Sequence, residues 1–90
     1  MLTNFENAVH FVTTNKSFHV DDEERLMIYA FYKLATVGKA PNNCPCHSWD
    51  VKGTMKYNAW KEFSLNYECE QAKELYVKLV NTLMNKYNFR

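Results

Sequence analysis

Two phenols and three ammonium groups are the side chains in this sequence best equipped for chemistry. Tyr29, Tyr32 and Lys33 stand at i, i+3 and i+4, so a helix through them carries all three on one face. Lys52 and Lys56 are four residues apart and share a face of any helix through Asp50–Trp60. Brought together, the two sets can hold a flat aromatic ring and a phosphate at once, by stacking and by charge-assisted hydrogen bonds. That is the chemistry of a nucleotide-like ligand. No Ser-His-Asp arrangement in a motif context, Gly-rich phosphate loop or pair of carboxylates in an apolar setting accompanies them, so no catalytic role is expected.

Four elements must position these residues. The chain has 90 residues, 47% hydrophobic and 23% charged, with only two glycines and two prolines, which suits one small domain built of long helices. Phe5, Ala8, Val9 and Val12 set out an amphipathic helix over residues 3–14, fraying at Thr13, Thr14 and Asn15. Asp21 followed by Glu24 reads as a capping box, with both residues acting as caps only. It opens a helix over 21–37 that is apolar almost all round from Leu26 to Val37, and Gly38 stands ready to stop it. After an aperiodic stretch from Lys39 to Trp49, long for a compact domain, a third helix spans 50–63 and buries Met55, Ala59 and Trp60, with Phe63. Ser64–Asn66 reads as a polar break. The fourth helix, 67–87, carries Ala72, Leu75, Tyr76, Leu79, Val80, Leu83 and Tyr87 at steps of three and four. The expected fold is all-α: a single-domain, four-helix antiparallel-type bundle with a long loop between helices two and three.

Bulk properties exclude several functions. Eleven Lys and Arg stand against ten Asp and Glu, a net charge of +1, which argues against general nucleic-acid binding. No apolar run approaches the roughly 20 residues of a membrane span, and the N-terminus lacks the pattern of a signal peptide, so a soluble cytoplasmic protein without stable membrane insertion is expected. Three cysteines do not make a closed disulfide set. Cys44, Cys46 and His47 supply three adjacent metal donors without a fourth at recognisable spacing, and no metal is expected.

The pattern Tyr29-x-x-Tyr32-Lys33-x-x-Thr36-Val37-Gly38, then Asp50-x-Lys52-Gly53-x-x-Lys56-Tyr57-x-Ala59-Trp60, then Tyr76, resembles the acyl-CoA-binding protein family. The resemblance runs from Phe5 and Ala8 to Lys86-Tyr87. It implies an up-down-down-up bundle, free-standing and monomeric, that binds long-chain acyl-CoA without transforming it and serves as an intracellular carrier and pool former. No further cofactor is implied. Residue by residue, Tyr29, Lys33 and Lys56 match positions around the 3′-phosphate of the CoA ribose, and Tyr32 a tyrosine packing near the adenine. Lys52 and Tyr76 match further ligand contacts, and Ala30 and Phe31 lie within the contacting segment. Thr13 stands where the family usually carries a lysine, and Cys44-Pro45-Cys46-His47 where many relatives carry Pro-Gly. A contrasting expectation is a helical protein-interaction module of this fold that has lost the ligand.

Overall fold

Three of the four helices begin where a side chain accepts from a free backbone N–H of the first turn. The computed structural model describes residues 2–15, 18–44 and 49–87, and within them there are four helices and no strand. Helix α1, Phe5–Thr14, starts after Asn4, whose side chain accepts from Asn7 N at 2.8 Å. Helix α2, Asp22–Thr36, has the full capping box: Asp21 accepts from Glu24 N at 2.8 Å, and Glu24 accepts from Asp21 N at 3.0 Å. Helix α3, Val51–Asn66, is capped by Asp50, which accepts from Gly53 N at 2.9 Å. Helix α4, Cys69–Lys86, begins with Gln71 accepting from Glu68 N at 2.8 Å. Such caps contribute about 0.5–2 kcal/mol each.

Gly38 closes α2 as expected. Its φ of +103° is one that residues with a side chain rarely adopt, and its N–H returns to Lys33 O at 3.1 Å. Gly53 stands in the first turn of α3, where glycine ordinarily weakens a helix, and it has a reason to be there. A Cβ there would lie 2.2 Å from Asp50 Oδ2, inside the carboxylate that caps the helix.

Two features differ from expectation. Helix α3 runs on through Ser64, Leu65 and Asn66, and Ser64 is buried rather than exposed in a break, its Oγ satisfied by donating to Trp60 O at 2.8 Å. Glu24 does more than cap. It also receives the Lys86 ammonium and the Tyr87 hydroxyl (2.5 Å), tying the end of α4 to the start of α2. These donors hold the Glu24 carboxyl well below its usual range, down to about 2, with the Lys86 hydrogen bond the largest cause.

The core is shared by all four helices and comprises chiefly Ala8, Ile28, Phe31, Leu34, Tyr57, Trp60, Ala72, Tyr76, Val80 and Leu83. Of the α4 stripe, Ala72, Tyr76, Val80 and Leu83 are buried, Leu75 and Leu79 are half-buried, and Tyr87 is exposed. Phe18, between α1 and α2, joins this core and meets Phe11 edge-on at 5.0 Å.

Helices α2 and α3 run parallel, which the long connection permits. Asp22 and Arg25 at the start of α2 face Val51 and Lys52 at the start of α3, while Gly38 and Ala40, just past the far end of α2, meet Trp60 and Ser64. The described part of the connection lies back along α3. Trp60 Nε1 donates to Gly38 O (2.7 Å), Tyr57 OH to Pro41 O (2.5 Å) and Lys61 Nζ to Asn42 O (3.0 Å). Lys39 reaches Ser64 O (2.6 Å) and Tyr67 O (3.1 Å), placing a cation at the negative end of α3. This strap holds α3 level with α2, and the level fixes which side chains face each other between them.

Candidate functional site

Parallel packing sets one turn of α2 against one turn of α3, and the side chains that meet there are aromatic rings and cations. Lys33 Nζ lies 5.9 Å from the centroid of the Tyr29 ring, and Lys56 Nζ lies 5.3 Å from that same centroid. The ring negative face attracts both ammonium groups, at about 0.5–1 kcal/mol each where water is near. Tyr29, Lys33 and Lys56 therefore gather in one place, although they come from two helices and 27 positions separate the outer two in sequence.

Beside this cluster an open cleft of about 580 Å³ runs between the two helices. Arg25, Leu26 and Tyr29 line it from α2; Val51, Lys52, Met55 and Lys56 line it from α3, with Asp22 at its outer end. Polar and greasy groups alternate along it, because residues four apart on each helix share the facing side. Among the described residues, the ion pairs are Lys39–Glu68, Lys73–Glu70 and Lys86–Glu24, and none of them involves Lys33, Lys52, Lys56 or Arg25. A cleft that sets cations among apolar walls suits a ligand with an anionic head and a hydrocarbon part.

The remaining expected site residues lie elsewhere. Tyr32 is partly exposed and stacks with Phe5 at 6.4 Å, and both rings adjoin Tyr76, at 6.4 and 5.1 Å respectively. These three form an aromatic cluster between α1, α2 and α4. Tyr76 itself is 2% exposed, and burial pushes its phenol up to about 12, so it stays neutral throughout the physiological range. Ala30 and Phe31 are buried, with the Phe31 ring 4.5 Å from Phe63 and 5.6 Å from Tyr67. They seat α2 in the core. Thr13 is exposed and its hydroxyl donates to Val9 O and His10 O of its own helix.

Reasoning from sequence missed Arg25, Leu26 and Val51 as cleft residues and assigned Met55 to the buried stripe of α3, whereas Met55 is 47% exposed and lines the cleft. The signal was present: Arg25, Tyr29 and Lys33 repeat every four residues, and Val51 and Met55 do the same. Cys44 is exposed, and its expected companions Cys46 and His47 lie outside the described residues. Among the described residues no cluster of three His, Cys, Asp or Glu side chains is placed to hold a metal ion. No helix among them is long and apolar enough to cross a membrane.

Comparison with known proteins agrees with this architecture. The model of the family described as acyl CoA binding protein matches residues 3–80. The acyl-CoA-binding protein homolog 1 of Caenorhabditis elegans is 36% identical over 87 residues, covering 97% of this chain and 98% of that one. A stretch of the acyl-CoA-binding domain-containing protein 6 homolog of Dictyostelium discoideum is 35% identical over 81 residues, 88% of this chain but 27% of that protein. The crystal structure of Oryza sativa acyl-CoA-binding protein 2 superposes with a TM-score of 0.80 at 27% identity, covering 93% of this chain and 90% of that one. The solution structure of the Babesia bovis acyl CoA binding protein gives 0.74 at 31% identity, with 93% of each chain covered. The four-helix bundle, the parallel α2–α3 pair and the extent of the match together make this chain a member of the acyl-CoA-binding protein family.

Proposed function

We propose that this protein binds long-chain fatty acyl-CoA esters without covalent change and acts as an intracellular, cytoplasmic carrier and pool former, working as a monomer. The observation that carries the proposal is the convergence of Lys33 and Lys56 on the Tyr29 ring, beside a cleft walled by Leu26, Val51 and Met55. The head of such a ligand is a phosphorylated nucleotide. Lys33 and Lys56 supply charge-assisted hydrogen bonds to its 3′-phosphate, at about 1.5–3 kcal/mol each, and the Tyr29 hydroxyl supplies a third donor. Tyr32, 38% exposed, offers aromatic surface for stacking of the adenine, which in comparable contacts contributes about 1–3 kcal/mol per base. Lys52, inside the cleft, adds positive charge along the path of the head. Ala30, Phe31 and Tyr76 support these contacts from within: they fix the faces of α2 and α4 on which the ligand lies.

The acyl tail provides the larger gross contribution, at about 0.8 kcal/mol for each methylene buried, and ordering the ligand offsets much of it. Affinity is therefore expected to rise with chain length. Isothermal titration with a series of acyl-CoA esters from 8 to about 16 carbons, read together with tryptophan fluorescence, tests the proposal. One-to-one saturable binding that tightens along the series supports it. Absence of heat and of fluorescence change with every member contradicts it, and favours instead an interaction module that retains only the fold.

A further inference from the structure

Lys33 has a second aromatic neighbour, and that neighbour is closer than the first. Its Nζ lies 4.9 Å from the centroid of the Trp60 ring, against 5.9 Å for Tyr29. By sequence Trp60 is a core residue, and it is 7% exposed. Its indole is not free to turn, because Nε1–H donates to Gly38 O at 2.7 Å. Gly38 in turn donates its N–H to Lys33 O at 3.1 Å, and Val37 donates to the same oxygen at 2.7 Å. The contacts form a closed circuit: Lys33 backbone to Gly38, Gly38 to the indole, and the indole face to the Lys33 ammonium. The ring is thus fastened to the helix terminus that carries the lysine it faces.

From this circuit we infer that Trp60 is a positioning residue for anion binding: its indole face holds the Lys33 ammonium beside Lys56 before any phosphate arrives. Two lysines without carboxylate partners among the described residues repel each other and gain most freedom by swinging apart into water. The faces of Tyr29 and Trp60 counter that tendency, and tryptophan provides the strongest such attraction of any side chain. Holding the charge in place beforehand removes part of the ordering cost from the binding step. The assignment gives Trp60 a role that acts through Lys33 rather than through contact with the ligand, and it rests on the acyl-CoA reading above.

Two measurements test it. The first needs no ligand: proton NMR of the unliganded wild-type protein reports whether the ε-methylene of Lys33 lies under aromatic rings. Upfield displacement from the other lysines, reduced in Trp60→Leu and partly restored in Trp60→Phe, is expected; a Lys33 signal at the common lysine position overturns the inference. The second is a double-mutant cycle with dodecanoyl-CoA, the folded fraction of each variant being checked by urea unfolding. Trp60→Leu is expected to weaken binding by about two- to five-fold where Lys33 is present, and to change nothing in a Lys33→Met background. The same factor in both backgrounds means that Trp60 serves the fold alone and contradicts the assignment. If the wild type binds no acyl-CoA, the proposed function fails, and the NMR measurement alone decides whether Trp60 positions Lys33.

Discussion

Replacing Lys33 by alanine removes one charge from the site and little from the fold, and the geometry gives the sizes of both effects. Lys33 has no carboxylate partner among the described residues, so its loss strands no buried countercharge. What the unliganded protein loses is its cation–ring contact with Trp60 at 4.9 Å and with Tyr29 at 5.9 Å, about 0.5–1 kcal/mol each at a half-exposed position. Alanine recovers a few tenths of that as a better helix former. The net cost to stability is therefore under about 2 kcal/mol, or no more than about 16 °C in Tm for a domain of this size. Binding loses a charge-assisted hydrogen bond to phosphate, about 1.5–3 kcal/mol, which corresponds to a rise of roughly ten- to hundred-fold in Kd. Isothermal titration with palmitoyl-CoA, paired with thermal unfolding of the same preparation, measures both. Unchanged affinity in a folded variant refutes the assignment of Lys33 to the phosphate. A Kd that rises only in step with a large loss of Tm refutes the separation of site from fold.

Other perturbations probe the frame. Leu34→Ala removes a side chain with no exposed surface and is expected to destabilise the bundle by about 2–5 kcal/mol in urea unfolding, whereas half-buried Leu79→Ala costs less; equal losses contradict the burial pattern. The Glu24 carboxyl is held near 2 in the folded state against an ordinary 4.5, so its contribution to stability is full above about pH 5 and falls away as the pH drops towards 2. Glu24→Gln is expected to flatten that part of a Tm-against-pH curve, and an unaltered slope counts against the tie between Glu24, Lys86 and Tyr87. Gly53→Ala drives a Cβ into the Asp50 cap, so the gain of about 1 kcal/mol from the better helix former is cancelled by a cap worth about 0.5–2 kcal/mol. In an Asp50→Ala background the same substitution is expected to stabilise, and a stabilising effect in the wild type contradicts the reasoning.

The helices were legible from the chain because their signals are local. Asp21 and Glu24 announce the start of α2, Gly38 its end, and the steps of three and four in α4 its buried face. The pairing of Tyr29 with Lys33 was legible for the same reason, and its meeting with Lys56 followed from a matching four-residue step on α3. The strap of residues 38–42 was not, because it is made with the carbonyls of Gly38, Pro41 and Asn42, and every residue type carries a carbonyl. Ser64 looked like a break because its hydroxyl is polar. It continues α3 with that hydroxyl satisfied by two backbone partners, Trp60 O and the Ala40 N–H at 3.0 Å. The place of Trp60 over Lys33 depends on how far α3 slides along α2, which only the packed structure fixes.

The claim that most of the account depends on is that one site serves a phosphorylated head and an apolar tail together. Side-by-side titration of the wild-type protein with palmitoyl-CoA and with palmitate tests it most directly, since the two share a tail and differ in the head. The expected result is one-to-one binding of the ester and at least about hundred-fold weaker binding of the acid, from the loss of two charge-assisted contacts. Equal affinities would contradict the account.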